Sequence, residues 1–521
     1  PLNILCQEGG AFLKLSRTSM LYGTLLLTAT GLFSQLLGFI YRILLSRLIG
    51  AEVMGLYQLV MPVYSVLLSV TAVGLTAAVS SLTSEYQALG NLRAAGQVLR
   101  RCLAALFLLL VLPCLAVVLF SDAISVYLLG DARTRLGLVL LLPCLLLTGV
   151  ENLHKHAFYG SGLIRPPACT EMLEQLVRTV AVLGLLVLFL PQSPERTVGL
   201  IVAGMVICEV FSSCTLTLLH RRYTRRLPPD RGHGESGRVL DRRILHIAVP
   251  IGLTALLGNL MGSANAVLIP RLLVLGGMDQ SQAVSTYGVT FGMTLPMLLL
   301  PTAFLSALGL VLTPKLSRCA ALQQAGEIRR LVRRWVSLAN LILIPALALL
   351  AVLGPALGRA LYQEERVGDH LPLLALGVLF SCWQSLGAYV LNGVDRQKAS
   401  AAIALGADGV QLVLTCLTVG QWGMGGYAVS FVLASLVGAV LSWRAVAQAT
   451  GLALPIFSWF TAPTLAACLA ASCGDLMETV LLRAEAGVLP SVLGGMGFGL
   501  LLYLAALQAM GVWGGKPERP P

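Results

Sequence analysis

Uninterrupted apolar runs recur from one end of this chain to the other. Each is long enough, at about twenty residues, to cross a hydrocarbon core of about 30 Å. Little else is compatible with a composition that is 57% hydrophobic and only 12% charged, with a mean hydropathy of +0.83. Soluble domains carry about 25% charged residues. The chain therefore reads as an all-α polytopic membrane protein. About 14 transmembrane helices are expected, at 19–45, 56–82, 99–120, 134–158, 168–190, 197–220, 244–275, 282–313, 333–355, 370–393, 398–418, 424–447, 455–474 and 487–510. The segments 134–158 and 244–275 can be divided differently, which makes the range twelve to fourteen.

The formal net charge of +12 would suit nucleic acid if its placement were ignored, but the basic residues punctuate the apolar runs. With both termini cytoplasmic, one set of loops collects 26 of the 36 lysines and arginines and the opposite set 9, while Arg178 alone falls within a span. A missed helix would scramble that alternation, so the bias supports an even number of spans and a plasma-membrane protein with both ends inside. The 12 cysteines lie mostly within apolar runs, as at Cys102, Cys114, Cys144, Cys208 and Cys416, and no Cys-x-x-Cys pair occurs. They read as small packing residues. No cleavable leader precedes the first span, which is expected to be retained.

Four parts are expected. Residues 1–220 form an N-terminal lobe of six spans, 221–243 a basic cytoplasmic linker, 244–449 a second six-span lobe, and 450–521 two additional spans with a tail. The linker, rich in Pro, Gly and Arg around Leu227-Pro-Pro-Asp-Arg-Gly-His, suits a surface near anionic lipid better than nucleic acid. The two lobes look related: Pro62 to Leu82 and Pro296 to Leu316 match in span, and Ile40-Tyr41-Arg42 matches Ile269-Pro270-Arg271. Both begin on the same side, so the repeat is parallel, about an axis along the membrane normal.

No Gly-x-x-x-x-Gly-Lys phosphate loop is present, since Gly515-Lys516 lacks the upstream glycine. No nucleophile–base constellation suggests an enzyme, and no cofactor is expected. His154-Lys155-His156 after Glu151 reads as a helix end before it reads as a metal site. The intramembrane polar residues say more. Glu171, Glu174 and Arg178 share one helix face, and Glu174 can pair with Arg178 at i+4. Gln35 and Arg42, seven apart, share a face of the first helix. Asn259 and Asn265 on the seventh span suit hydrogen bonds between helices, and Glu209 and Asp408 join Glu174 as possible ion-coupling groups. An arginine near the end of an apolar helix either snorkels to the interface or faces a wet cavity. If it faces a cavity, Arg42 and Arg271 from pseudo-equivalent helices, with Arg178 between them, form a basic site suited to phosphate or pyrophosphate. Pro62, Pro296 and Pro301, with Gly252, Gly258 and Gly262, supply bending points.

Gly38-Phe-Ile-Tyr-Arg42, Leu48-Ile-Gly-Ala-Glu52, Gly55-Leu-Tyr-Gln-Leu59, Glu174-Gln-Leu-Val-Arg178 and Tyr287-Gly-x₄-Met293-x-Leu-Pro296-x₄-Pro301 resemble the family of stage V sporulation protein B. Its members are polysaccharide-biosynthesis flippases of the multidrug/oligosaccharidyl-lipid/polysaccharide exporter superfamily. The resemblance implies fourteen helices in two pseudo-symmetric six-helix lobes plus two, around a V-shaped cavity. It also implies movement of a lipid-linked glycan, with a lipid II-like wall precursor the usual cargo. Three positions depart from the pattern. Gln35 stands where close relatives often carry arginine. Val66-Leu67 stands where lipid II flippases place an arginine pair, and Phe291 where they place another. The expected protein is a monomeric flippase whose partners are its lipid-linked glycan and the surrounding lipids, not nucleic acid. The competing expectation is a cation-coupled multidrug exporter on the same fold.

Overall fold

The computed structural model of the chain describes residues 20–226, 234–452 and 457–510. The Leu227-Pro-Pro-Asp segment of the expected linker and the terminal basic residues Lys14, Arg17, Lys516 and Arg519 lie outside the described residues. Among those described there is no strand, and twelve helical runs are long and apolar enough to cross a membrane. They are α1 Thr28–Ala88, α2 Leu92–Leu128, α3 Ala132–Gly160, α4 Arg165–Phe189, α5 Pro194–Arg225 and α6 Gly237–Leu275, then α7 Gln280–Ala321, α8 Ala325–Tyr362, α9 Leu371–Gly393, α10 Gln397–Thr450, α11 Trp459–Arg483 and α12 Val488–Ala509.

Two of these runs cannot be single helices. At 1.5 Å per residue the 61 residues of α1 would reach about 90 Å, three times the hydrocarbon thickness. The chain breaks instead at Gly50 (φ 73°, ψ 176°), and α10, 54 residues long, breaks at Gly423 (φ 58°, ψ −140°). Both conformations are open to glycine and strained for any residue bearing a Cβ. The expected divisions, 19–45 from 56–82 and 398–418 from 424–447, fall on these two glycines. The segments 134–158 and 244–275 are each part of one continuous run, α3 and α6. A π-helical turn interrupts α1 at Ser69–Val73 and another interrupts α7 at Val289–Thr294, close to Pro62 and Pro296 respectively. Hydroxyls near the first turn are satisfied locally: Ser69 Oγ donates to the Ser65 carbonyl (2.7 Å) and Thr71 Oγ1 to the Leu67 carbonyl (2.8 Å).

Where α1 crosses α7 the two halves approach backbone to backbone. A Cβ on Gly55 would lie 2.0 Å from the Val284 carbonyl oxygen, and one on Gly288 would lie 2.2 Å from the Ala51 carbonyl oxygen. Ala51 and Gly55 on α1, and Val284 and Gly288 on α7, are each four residues apart. The contact is therefore reciprocal, as expected where a pseudo-two-fold axis passes between two related helices. Further along α1, Gly74 approaches the Ala248 carbonyl oxygen of α6 in the same way, at 2.2 Å from a built Cβ. One large core joins both halves, a second fills the space between the far arm of α1, α2, α3 and α6, and a third holds α11 and α12 on α8. The last of these is pinned by Asn340. Its Nδ2 donates to the Trp459 carbonyl (2.9 Å), and its Oδ1 accepts from Trp383 Nε1 (2.9 Å). Exposed leucines such as Leu108, Leu112, Leu119 and Leu501 cover the outside, the surface a bilayer wets.

Candidate functional site

A cavity of about 540 Å³ lies between the first arm of α1, the near part of its second arm, α4, α5 and α7. Its polar lining comes from the first half of the chain: Gln35 and Arg42, then Tyr57 and Gln58, then Gln175 and Arg178. The second half contributes Phe291, Leu295, Pro296, Leu299 and Leu300, all apolar. Gln35 and Arg42 share a helix face, as their spacing of seven requires. Gly38, between them, lies against Gln175, whose Nε2 would be 3.3 Å from a Cβ there. Among the described residues Arg42 has no carboxylate within ion-pair distance and no hydrogen-bond acceptor.

Behind Arg178 stands a buried charge network that the sequence only half revealed. Arg178 Nη2 donates to Glu174 Oε1 (2.6 Å) and to Glu209 Oε1 (3.3 Å). Lys155 Nζ lies 2.6 Å from Glu151 Oε1 and 3.4 Å from Glu174 Oε2, and Ser212 Oγ donates to Glu151 Oε2 (2.6 Å). The three carboxylate side chains are 2%, 11% and 4% exposed at Glu151, Glu174 and Glu209. Ions so far from water persist only when paired and hydrogen-bonded. The network has one carboxylate more than it has cations. Arg178 Nε is buried without a hydrogen-bond partner, so one donor of this guanidinium is unused.

Glu151 and Lys155, read from the sequence as a cytoplasmic helix end, belong to this network instead. Their i,i+4 spacing was the available signal. Gln58 and Gln175 were also overlooked; Gln175 falls on the Glu171–Glu174–Arg178 face, which could have marked it. Ligand atoms of Glu174, Cys208 and Glu209 lie within 4.8 Å of one another, a donor set that could hold a cation. The Arg178 guanidinium already bridges both carboxylates, which is the position a metal would take.

The remaining candidates lie elsewhere. Arg271 is at the Gly50 end, where its Nη2 donates to the Leu128 carbonyl (2.9 Å), outside the cavity lining. Asn259 Nδ2 donates to Ser69 Oγ across the α1–α6 seam, joined there by Ser263 Oγ to the Pro62 carbonyl (3.2 Å). Asn265 leaves its Oδ1 buried and unbonded, and Asp408 sits on α10 away from the cavity.

Both ends of the inter-half seam are tied by polar groups. At the Gly50 end Arg133 pairs with Glu52 (2.7 Å) and Asp131 (2.7 Å), Ser281 Oγ donates to Glu52 (2.6 Å), and Gln280 Nε2 donates to the Gly130 carbonyl (3.0 Å). In the loop between α8 and α9, Arg366 pairs with Glu364 (2.8 Å) and donates to Ser285 (3.0 Å). Those hydrogen bonds hold the Glu364 carboxyl below its usual range. At the opposite end Arg101 pairs with Asp241 (2.6 Å), and Arg243 donates to Glu85 and to the Tyr86 hydroxyl (2.8 Å).

Similar proteins fit this geometry. Over 306 residues the chain is 25% identical to stage V sporulation protein B of Bacillus subtilis (strain 168), a match covering 58% of this chain and 59% of that one. It is 20% identical to the lipid II flippase MurJ of the same organism over 421 residues, 76% of this chain and 77% of the other. Among solved structures, MurJ in an inward closed conformation superposes with a TM-score of 0.67 at 14% identity, covering 94% of this chain and 99% of that one. An inward-facing multidrug resistance MATE family transporter of the MOP superfamily gives 0.64 at 14% identity, covering 83% and 100%. These two establish a shared two-lobe helical fold. The model of the polysaccharide biosynthesis protein family matches residues 20–320, more than half of the chain, and to that family this membrane protein belongs.

Proposed function

We propose that this protein is a flippase that moves a polyprenyl-pyrophosphate-linked oligosaccharide, a lipid II-like wall precursor, from the inner to the outer leaflet by alternating access. The observation that carries the reading is Arg42, an unpaired guanidinium on the wall of a central cavity. Planar guanidinium groups suit pyrophosphate because they bind two oxygens at once. The guanidinium of Arg178 lines the same cavity, and Gln35, Gln58 and Gln175 supply neutral donors. The names of the relatives point the same way, as does the family. The lobes 1–220 and 244–449 are the moving bodies in this reading. Asn259, Asn265 and Arg271 act along their contact, and 450–521 adds two helices to the second. Both termini are cytoplasmic, following the 26-to-9 distribution of basic residues.

An outward-moving anion runs down an inside-negative potential. Each full elementary charge gains about 2.3 kcal/mol per 100 mV, so two charges gain about 4–5 kcal/mol and bias flipping without ATP. The test is flipping of fluorescent lipid II, and of unrelated undecaprenyl-linked sugars, in proteoliposomes with an imposed potential. Arg42→Glu should reduce transport at least tenfold while insertion and melting temperature stay as in the parent protein. Transport unchanged by Arg42→Glu would overturn the assignment of the site.

The second reading is a cation-coupled multidrug exporter, favoured by the buried Glu174, Glu209 and Cys208 donor set. It requires a cation to displace Arg178 from between the two carboxylates. Transport of a cationic amphiphile, with lipid II inert, would select it.

A further inference from the structure

We propose that the basic pocket at the start of α8 is a binding site for the headgroup of an anionic bilayer phospholipid. Helix α8 begins with Arg329, Arg330, Arg333 and Arg334, at positions i, i+1, i+4 and i+5, so the four side chains form two adjacent columns, the two members of each about one turn apart. All four are exposed, and they line a pocket of about 780 Å³ together with the Gly451–Leu452 turn that ends α10. Arg329 reaches furthest in, its Nη1 lying 3.8 Å from where a Cβ on Gly451 would stand.

These charges are almost unspent. Among the described residues the one carboxylate in ion-pair reach of the four is Glu327, 3.7 Å from Arg330, with both side chains more than half exposed. A pair that open to water contributes little. Four like charges within two helical turns repel one another, and an anion seated between them removes that repulsion.

The surface that runs on from the pocket identifies the anion as part of a lipid. Arg330, Arg334, Leu338 and Ile342 recur every fourth residue and are all exposed, so they form one continuous stripe. At 1.5 Å per residue, Leu338 lies about 6 Å and Ile342 about 12 Å beyond Arg334 along the axis. The stripe thus passes from guanidinium to bare aliphatic side chain within two turns, as a surface does on crossing from headgroups to acyl chains. Trp335 sits at the same level with Lys315 Nζ 5.7 Å from its ring centroid, an aromatic–cation pair typical of the membrane interface. An occupant that satisfies both parts has a phosphodiester anion in the pocket and an acyl chain along Leu338 and Ile342. The pocket shares no residue with the central cavity, so the site is independent of what the cavity carries.

Native mass spectrometry of the purified, delipidated full chain tests this. Dioleoyl phosphatidylglycerol, dioleoyl phosphatidylcholine and glycerophosphoglycerol (the same anionic headgroup without acyl chains) are titrated in turn. Phosphatidylglycerol should bind saturably and at least tenfold more tightly than either of the others. Arg333→Gln/Arg334→Gln should weaken it about thirtyfold, which is about 2 kcal/mol at 1.4 kcal/mol per tenfold. The charge-conserving Arg333→Lys/Arg334→Lys should keep most of the affinity, and this guards against a folding defect in the glutamine variant. Equal binding of phosphatidylcholine, or undiminished phosphatidylglycerol binding by the glutamine variant, would overturn the proposal. Glycerophosphoglycerol binding as tightly as the intact lipid would make this a soluble-anion site and overturn the lipid assignment.

Discussion

Gly55→Ala isolates the reciprocal contact between the two halves. The added Cβ would lie 2.0 Å from the Val284 carbonyl oxygen, whereas ordinary contact begins near 3.4 Å. Because the obstacle is backbone, no rotamer can relieve it, and α1 and α7 must separate by about 1.4 Å. Overpacking of this kind costs about 1–3 kcal/mol. Alanine is the better helix former by up to about 1 kcal/mol, but that gain applies equally whether the Gly50 end is shut or open. The difference between the two forms is therefore the clash alone, and the closed-to-open ratio should fall about 5- to 150-fold. Spin labels on Gln192 and Leu275, in a background with the exposed native cysteines replaced by serine, report the separation by pulsed EPR. A longer-distance population should grow in Gly55→Ala and in Gly288→Ala. The two changes share one contact, so the double variant should fall short of the sum. An unchanged distance distribution in both single variants would refute the claim that this crossing shuts the Gly50 end.

Arg178→Gln should lower stability in detergent by about 3–5 kcal/mol, because it strands Glu209 and leaves Glu174 with Lys155 alone in a site nearly closed to water. The pair Glu174→Gln/Arg178→Gln should recover part of that loss in thermal melts, and a double-mutant cycle without coupling would contradict the network. Asn340→Leu keeps the branched shape but removes the partner of the Trp383 indole N–H and the side-chain donor to the Trp459 carbonyl. Each lost partner costs about 1–3 kcal/mol, so a melting temperature equal to that of the parent would exclude the pinning role. Glu364 has a folded pKa below its usual value near 4.5, chiefly from hydrogen bonds with Arg366. Its contribution is present above the unfolded pKa and disappears as pH falls through the folded one. The stability difference between parent and Glu364→Gln should therefore shrink below about pH 4.5, by less than about 1 kcal/mol because the pair is partly exposed.

Helices were legible in the sequence because the bilayer imposes them, and their ends were not because hydropathy stops where hydrogen bonding does not. The span expected to end at 220 continues as α5 to Arg225, and the one expected from 244 begins as α6 at Gly237. Arg222 and Arg225 occupy the last turn of α5, where cations meet the negative end of the helix dipole, so charge there prolongs the helix. The break at Gly50 was legible from length alone. Glu151 and Lys155 show the opposite failure. On their own helix they look like an interfacial end, and only the approach of α4 and α5 brings Glu174, Glu209 and Ser212 to neutralise and bond them. One-dimensional periodicity carries a residue's face, but not the partner supplied from another helix.

The placement of Arg42 and Arg271 follows from where the pseudo-axis runs. Two arginines related by the repeat can converge on one cavity only if the axis passes through it. Here the axis passes between Gly55 and Gly288, while Gly74 against Ala248 and Asn259 on Ser69 shut the seam between α1 and α6. The open volume is left on one side, against α4 and α5, and it inherits the chemistry of the first half. Every polar lining group comes from that half, and the facing wall from α7 is wholly apolar. A cavity with guanidinium on one wall and Phe291, Leu295 and Leu299 on the other is itself amphiphilic. That lining is the physical basis of the proposed preference for an anionic centre joined directly to a hydrocarbon chain: a free sugar has no use for the apolar wall, and a cationic drug would meet the charge of Arg42.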